Sequence, residues 1–170
     1  KRILERRPDF KVIISSATIN AEIFSVYFDG CPIVYIDSKT YPVEVIYNPP
    51  LPEYNYDETL LKISGIVTGL VENPKHKDIL IFASGEKNIK DCIRLIQSSD
   101  QKNKMKILPL YARLSSHEQE RVFLDYPEKK KIIVATNIAE TSVTIDGITA
   151  VIDPGFAKIN YYNQCYGWKI

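Results

Sequence analysis

A chain of 170 residues amounts to one ordinary domain, or to one domain with a piece of another attached. Its 22 Lys and Arg offset 21 Asp and Glu for a formal net charge of +1, so no global field draws in nucleic acid or a membrane, and any such binding must come from local placement. With 45% hydrophobic and 25% charged residues, the composition is that of a globular protein and excludes a disordered tail.

Cys31, Cys92 and Cys165 are odd in number, far apart and in no C-x-x-C pair. That argues against a disulfide framework or a zinc site and for a reducing compartment. No run approaches the roughly 18 apolar residues that span a bilayer, and the opening KRILERR is no signal peptide. The expectation is a soluble intracellular domain with no membrane partner.

The first elements in chain order are a strand over 11–15, rich in β-branched residues, and a helix from Asn20 to Asp29 that Gly30 stops. In that helix Ile23, Phe24, Tyr27 and Phe28 share one face. Strand-like runs follow at 33–37 and 43–47. The prolines of 48–52 exclude helix and central strand there and read as a linker. A long helix over 57–72 presents Leu60, Leu61, Ile63, Ile66, Val67, Leu70 and Val71 as a broad apolar face.

Beyond it the rhythm is regular. Strands are expected at 78–82, 105–111, 131–135 and 150–153, with helices over 87–96 and 116–124 between them. Ser115 with Glu118 makes a capping box. Short all-apolar strands alternating with helices predict an α/β fold, a parallel sheet with helices on both faces. Residues 158–162 and 166–170 read as the start of a β-hairpin.

Ligands of open α/β sheets gather where strands end, so polar residues just after strands carry the functional reading. Ser15 to Thr18 follow the first strand; small hydroxyls there also serve as plain helix caps. Ser84 and Gly85 follow another strand, and a glycine allows close approach to a phosphate, although a turn is the ordinary explanation. The segment from Thr136 to Asp146, TNIAETSVTID, sets seven polar side chains in eleven residues directly after an apolar strand. Hydroxyls and backbone N–H groups suit phosphate oxygens, and a carboxylate such as Asp146 suits a ribose hydroxyl. Phe123 is either core or a platform for a stacked base. His76 and His117 read as surface histidines. The lysine-rich stretches 102–106 and 128–131 read as solvated loops that could brush a phosphate backbone. None of the seven glycines precedes a lysine, so there is no P-loop, and the chain by itself is not expected to hydrolyse a nucleotide.

The string TNIAETSVTIDGI, Thr136 to Ile148, resembles motif V of the DEAH-box RNA helicases of superfamily 2 almost letter for letter; a DEAD-box protein would carry a different pattern. Ser16 to Thr18 resembles motif III, 78–86 motif IV, and 108–114 with Gln119 to Phe123 the segment called IVa. The entry at 40–45 and the run 151–156 resemble the family's approach to its second lobe and the lead-in to its β-hairpin.

The resemblance implies a RecA-like fold. Residues 1–38 would be the tail of a first lobe and 39–170 most of a second, as part of a longer chain holding the P-loop, the Asp-Glu-Ala-His box and motif VI. Ser16 and Thr18 would couple nucleotide state to lobe closure. Phe123 would stack on adenine, Thr144 and Asp146 would meet the ribose, and Ser142 would lie toward the γ-phosphate. Ser84, Gly85, Thr136 and Asn137 would contact the RNA backbone.

The implied function is ATP-dependent movement on single-stranded RNA. ATP and Mg2+ would serve the whole protein, with neither held tightly by this chain. The implied partners are the first lobe, C-terminal domains and an activating protein, and the family favours the nucleus over the cytoplasm. The competing reading is a non-catalytic RNA- or protein-binding module. Three departures stand out: Ser38-Lys39 for Gly-Arg, Ser84 and Glu86 for Thr and Gln, and Lys87-Asn88 for two glutamates. Ser84 keeps the hydroxyl, but Glu86 is a poor neighbour for phosphate.

Overall fold

The computed structural model describes residues 2–7, 9–15, 20–36, 41–49, 55–99, 102–141 and 144–156. The chain divides into two compact units, Lys1–Ile46 and Tyr47–Ile170.

In the first unit, α1 (Arg2–Arg6) buries none of its residues, which is why no apolar periodicity announced it. α2 (Ala21–Tyr27) starts where Asn20 accepts a hydrogen bond from the Glu22 N–H at 3.1 Å. It ends before Gly30, whose φ of +80° lies in the left-handed region that a C-terminal helix cap favours. The expected strands do not form: the described residues of 11–15, 33–37 and 43–47 (Tyr47 already in the second unit) join no ladder. Ile13, Ile36 and Val45 are more than three-quarters exposed. β-branched residues favour a pleated surface only when a neighbouring strand supplies the hydrogen bonds and the packing, and no other described segment of this unit does.

The second unit carries the sheet. β1 (Asp78–Phe82), β2 (Met105–Leu110), β3 (Lys130–Ala135) and β4 (Ile148–Ile152) lie in the order β2-β3-β1-β4, and every pairing is parallel. Because side chains alternate along a strand, the two central strands feed two cores. Ile79, Ile81, Ile132 and Val134 face one side. There they meet Leu60, Ile63, Val67 and Val71 of α3 (Tyr56–Glu72) and Ile89, Cys92 and Ile96 of α4 (Glu86–Gln97). Leu80, Ile133 and Ala135 face the other side, with Leu108, Leu110 and Val122. Burial on both faces explains the continuous apolar runs. Leu61 stays outside this packing and is exposed, so the buried stripe of α3 is narrower than the sequence suggests.

Capping fixes where the helices begin. Asn55 and Glu58 form a reciprocal capping box ahead of α3, with both bonds at 3.0 Å. Ser115 and Glu118 do the same ahead of α5 (Ser116–Glu120). α5 is shorter than expected: after Glu120 the chain tightens into a 3-10 turn, Arg121–Phe123, that buries Val122 and leaves Phe123 exposed.

The lysine-rich stretches are solvated only in part: Lys104, Glu128 and Lys129 are exposed, whereas Lys106, Lys130 and Lys131 are held by the fold. Lys130 Nζ donates to the carbonyls of Leu70 at 3.0 Å and Asn73 at 2.6 Å, a cation at the negative end of α3. Lys131 is buried. Lys106 lies in β2, with its ammonium 5.3 Å from the Tyr126 ring centre. The expected hairpin at 158–170 lies outside the described residues. Among the described residues no helix is long and apolar enough to cross a membrane.

Candidate functional site

The segments leaving β1, β2, β3 and β4 at their carboxyl ends line a groove of about 780 Å³. All four residues that the resemblance gives to the RNA backbone line it: Ser84, Gly85, Thr136 and Asn137. The parallel ladder continues just past the strands, with the Ala83 N–H donating to Ala135 O at 2.8 Å and the Thr136 N–H to Leu110 O at 3.1 Å. Ser84 and Thr136 therefore leave from neighbouring strands.

Asn88 Nδ2 donates to Ser84 Oγ, which takes up an acceptor position and leaves the hydroxyl proton available to a ligand oxygen. No side chain caps α4 at Gly85, so the first N–H groups of this helix of 12 residues are donors without intrahelical partners, at its positive end. Thr136 and Asn137 are held by their own carbonyls, which accept from the Ala139 and Glu140 N–H groups at 3.2 and 3.0 Å.

Charge in the groove is mixed. Glu86, Glu140 and Asp153 line it, and Arg113, following β2, is its one cation among the described residues. Glu86 is paired with Lys90 at 2.7 Å. That hydrogen bond is the main reason its carboxyl is held below the usual range, with the charges of Lys90 and Arg113 acting in the same direction. Asp153 Oδ1 accepts the Gly155 N–H at 2.8 Å.

The residues assigned to the nucleotide lie elsewhere. Thr144 and Asp146 precede β4, and β4 runs parallel to β1 with Ile148 beside Asp78. They therefore stand at the amino end of the sheet, a strand's length or roughly 15 Å from the groove, and not at the carboxyl end where the strand-end rule looks first. Both are exposed. The turn that carries Asp146 is pinned to β1. The Asp78 N–H donates to Gly147 O at 3.4 Å, and the Lys77 N–H to Thr149 Oγ1 at 2.7 Å. Gly147 has φ +85°, and a Cβ there would sit 3.3 Å from Asp78 Oδ2.

Phe123 is at the same end: Lys131, the second residue of β3, donates through Nζ to the carbonyl of the adjacent Leu124 at 3.4 Å. Between the two ends, the described residues of 136–141 and 144–147 lie on one face of the sheet. They include the short helix α6 (Ile138–Thr141), and Ile138, Ala139 and Ile145 pack into that face's core. Ser16, Thr18 and Ser142 lie outside the described residues.

Sequence reasoning missed Arg113, Asp78 and Lys131. An acidic residue opening one buried strand and a lysine near the start of another was the available signal for the last two.

Residues 59–166 match the profile of the helicase conserved C-terminal domain. The chain belongs to that family. Among its relatives, the ATP-dependent RNA helicase HrpA of Borreliella burgdorferi is 50% identical over 95% of this chain and 20% of its own length. HrpA of Escherichia coli is 47% identical over 96% of this chain and 12% of its own length. The pre-mRNA-splicing factor ATP-dependent RNA helicase prp22 of Schizosaccharomyces pombe is 43% identical over 95% of this chain and 14% of its own length. The chain thus spans a fifth or less of these curated relatives. With motif V they support the DEAH-box branch, and the four-stranded parallel sheet fits the RecA-like fold expected of this helicase domain.

Proposed function

We propose that this chain is the second-lobe portion of an ATP-dependent RNA helicase, with residues 1–38 the tail of the first lobe, and that it links nucleotide state to grip on single-stranded RNA. One observation carries the reading. Residues 136–141 start in the groove and 144–147 end in the pinned turn of Asp146, with Ile138, Ala139 and Ile145 packed on the sheet. A shift at either end would be passed on through these packed side chains, because close-packed interiors transmit strain.

In this reading the groove holds the sugar-phosphate backbone through neutral donors, the Ser84 hydroxyl, Thr136, Asn137 and the N–H groups opening α4. Such contacts position RNA without reading its bases. At the other end Asp146 accepts from the ribose hydroxyls, Thr144 lies beside it, and Phe123 offers an exposed ring to the adenine. ATP supplies the energy of the cycle. Mg2+ would accompany the nucleotide phosphates. Ser142 near the γ-phosphate, and Ser16 and Thr18 in lobe closure, complete the proposal, as do the first lobe and an activating protein as partners.

The test uses the full-length protein carrying this sequence. Asp146→Ala should raise the ATP concentration for half-maximal RNA-stimulated hydrolysis, and Thr136→Ala the RNA concentration, each about tenfold for one lost hydrogen bond to a charged or buried partner. Unchanged ATP and RNA dependence in both variants would dispose of these site assignments, and a wild-type protein with no RNA-stimulated hydrolysis would return the chain to the non-catalytic reading.

A further inference from the structure

Three carboxylates in a groove meant for a polyanion need an explanation, and Arg113 supplies it. Arg113 follows β2 and lines the same groove as Ser84, Gly85, Thr136 and Asn137. It makes no hydrogen bond or ion pair to another described residue, and Glu86 lines the same groove, where the positive charge of Arg113 acts to lower the carboxyl's pKa. Glu86 is itself occupied by Lys90 through the i,i+4 ion pair at 2.7 Å, so its attraction for Arg113 is diluted rather than spent in a direct bond. Glu86 is also the first residue of α4, next to the uncapped N–H groups that a phosphate would need.

We infer that Arg113 is the groove's cationic anchor for an RNA phosphate, and that Glu86 is its built-in competitor, setting how easily the strand is released. The inference rests on the groove being the RNA site. Its chemistry is simple. A guanidinium offers a planar fork of donors that matches a phosphodiester oxygen pair. Glu86 repels the same phosphate and attracts the same guanidinium, so an incoming strand displaces a weak internal partner. A groove whose described lining offers one cation beside neutral donors holds RNA with few released counterions, which suits a lobe that must let go on every cycle.

The experiment is a titration of a fluorescein-labelled oligouridylate, about a dozen nucleotides long, against the full-length protein without nucleotide, at salt concentrations from about 50 to 200 mM. Arg113→Gln should weaken binding roughly tenfold at the lowest salt and reduce the slope of log affinity against log salt by about 0.7, the value for one phosphate contact on a single strand. Arg113→Lys should restore that slope with incomplete affinity, because the charge returns without the fork. Glu86→Gln should move the other way and tighten binding several-fold, with the helix and its Lys90 partner position kept.

If both Arg113 variants and Glu86→Gln bind as wild type while Thr136→Ala binds less tightly, the anchor assignment is wrong and the groove stands. If Thr136→Ala is also silent, the groove is not the RNA site and the anchor falls with it. Thermal unfolding of each variant keeps a folding defect from passing as a binding one. Weaker binding by Glu86→Gln, in a protein that melts normally, would overturn the competitor role.

Discussion

Asp78 and Lys131 are joined twice at the amino end of the sheet, once through backbone and once through charge. The Lys131 N–H donates to Asp78 Oδ1 at 2.8 Å, and Lys131 Nζ lies 3.4 Å from Asp78 Oδ2. The two sides differ in burial: the lysine side chain is 4% exposed and the aspartate 21%. Removing either partner therefore has unequal consequences. Asp78→Ala strands a buried ammonium whose other contact is the Leu124 carbonyl at 3.4 Å, and takes an acceptor from the Lys131 N–H. It should cost about 3–5 kcal/mol. Lys131→Met fills the same space with an apolar chain and leaves Asp78 its amide bond and some water, so it should cost about 1 kcal/mol or less. Urea unfolding of the two variants checks the order; equal losses would mean the ion pair contributes nothing beyond packing.

Val122 and Phe123 are neighbours with opposite fates, and the contrast separates structure from function. Val122 is fully buried in the core that Ile138, Ala139 and Ile145 pack against, whereas Phe123 is 54% exposed. Val122→Ala should cost about 1.5–3 kcal/mol from lost burial. Phe123→Ala should stay within about 0.5 kcal/mol, as exposed positions do. If Phe123 serves the nucleotide, its loss should raise the ATP requirement of the full-length protein with the melting temperature unchanged. A large drop in stability on Phe123→Ala would show instead that the ring is structural.

The regular half of the fold was legible because its physics is local. Buried parallel strands are apolar throughout, so β1 and β3 stand out in the sequence. The Ser115–Glu118 box announces its helix within four residues. The extended runs of the first unit misled for the opposite reason: 11–15 and 43–47 have the composition of strands, but pairing is a non-local property that composition cannot report. Lys130 and Lys131 misled because a run of lysines looks solvated until the carbonyls of Leu70 and Asn73 and the carboxylate of Asp78 come to meet it. In the candidate site, Ser84 and Thr136 could be found from their places after strands. Asp146 was marked by its motif, but its place at the opposite end of the sheet shows only in the register of β4 beside β1. Arg113 lies in the run 108–114 that resembles segment IVa, but nothing in that run singled it out, and only the groove sets it in one lining with Glu86.

Cys92 makes the fold sensitive to alkali. The thiol is buried among α3, α4 and the sheet, and burial pushes its pKa up from 9.0 to about 11. In the unfolded chain it ionises at its ordinary value. Between about 9 and about 11 the folded state therefore holds a proton that the unfolded state has lost, and stability falls as pH rises. The two-unit shift corresponds to roughly 3 kcal/mol lost by the upper end of that window. Tyr56, whose hydroxyl is buried without a hydrogen-bond partner among the described residues, is raised for the same reason, desolvation first and nearby negative groups after it. It extends the decline to higher pH. Urea midpoints measured at pH 8 and at steps through about 10.5 should fall for the wild type across this window. Cys92→Ala should begin lower, because it opens a small void, yet vary much less with pH until tyrosine ionises. A wild-type curve that stays flat through this range would mean that water reaches the Cys92 sulfur, and that the packing of α4 on the sheet is looser than its buried face implies.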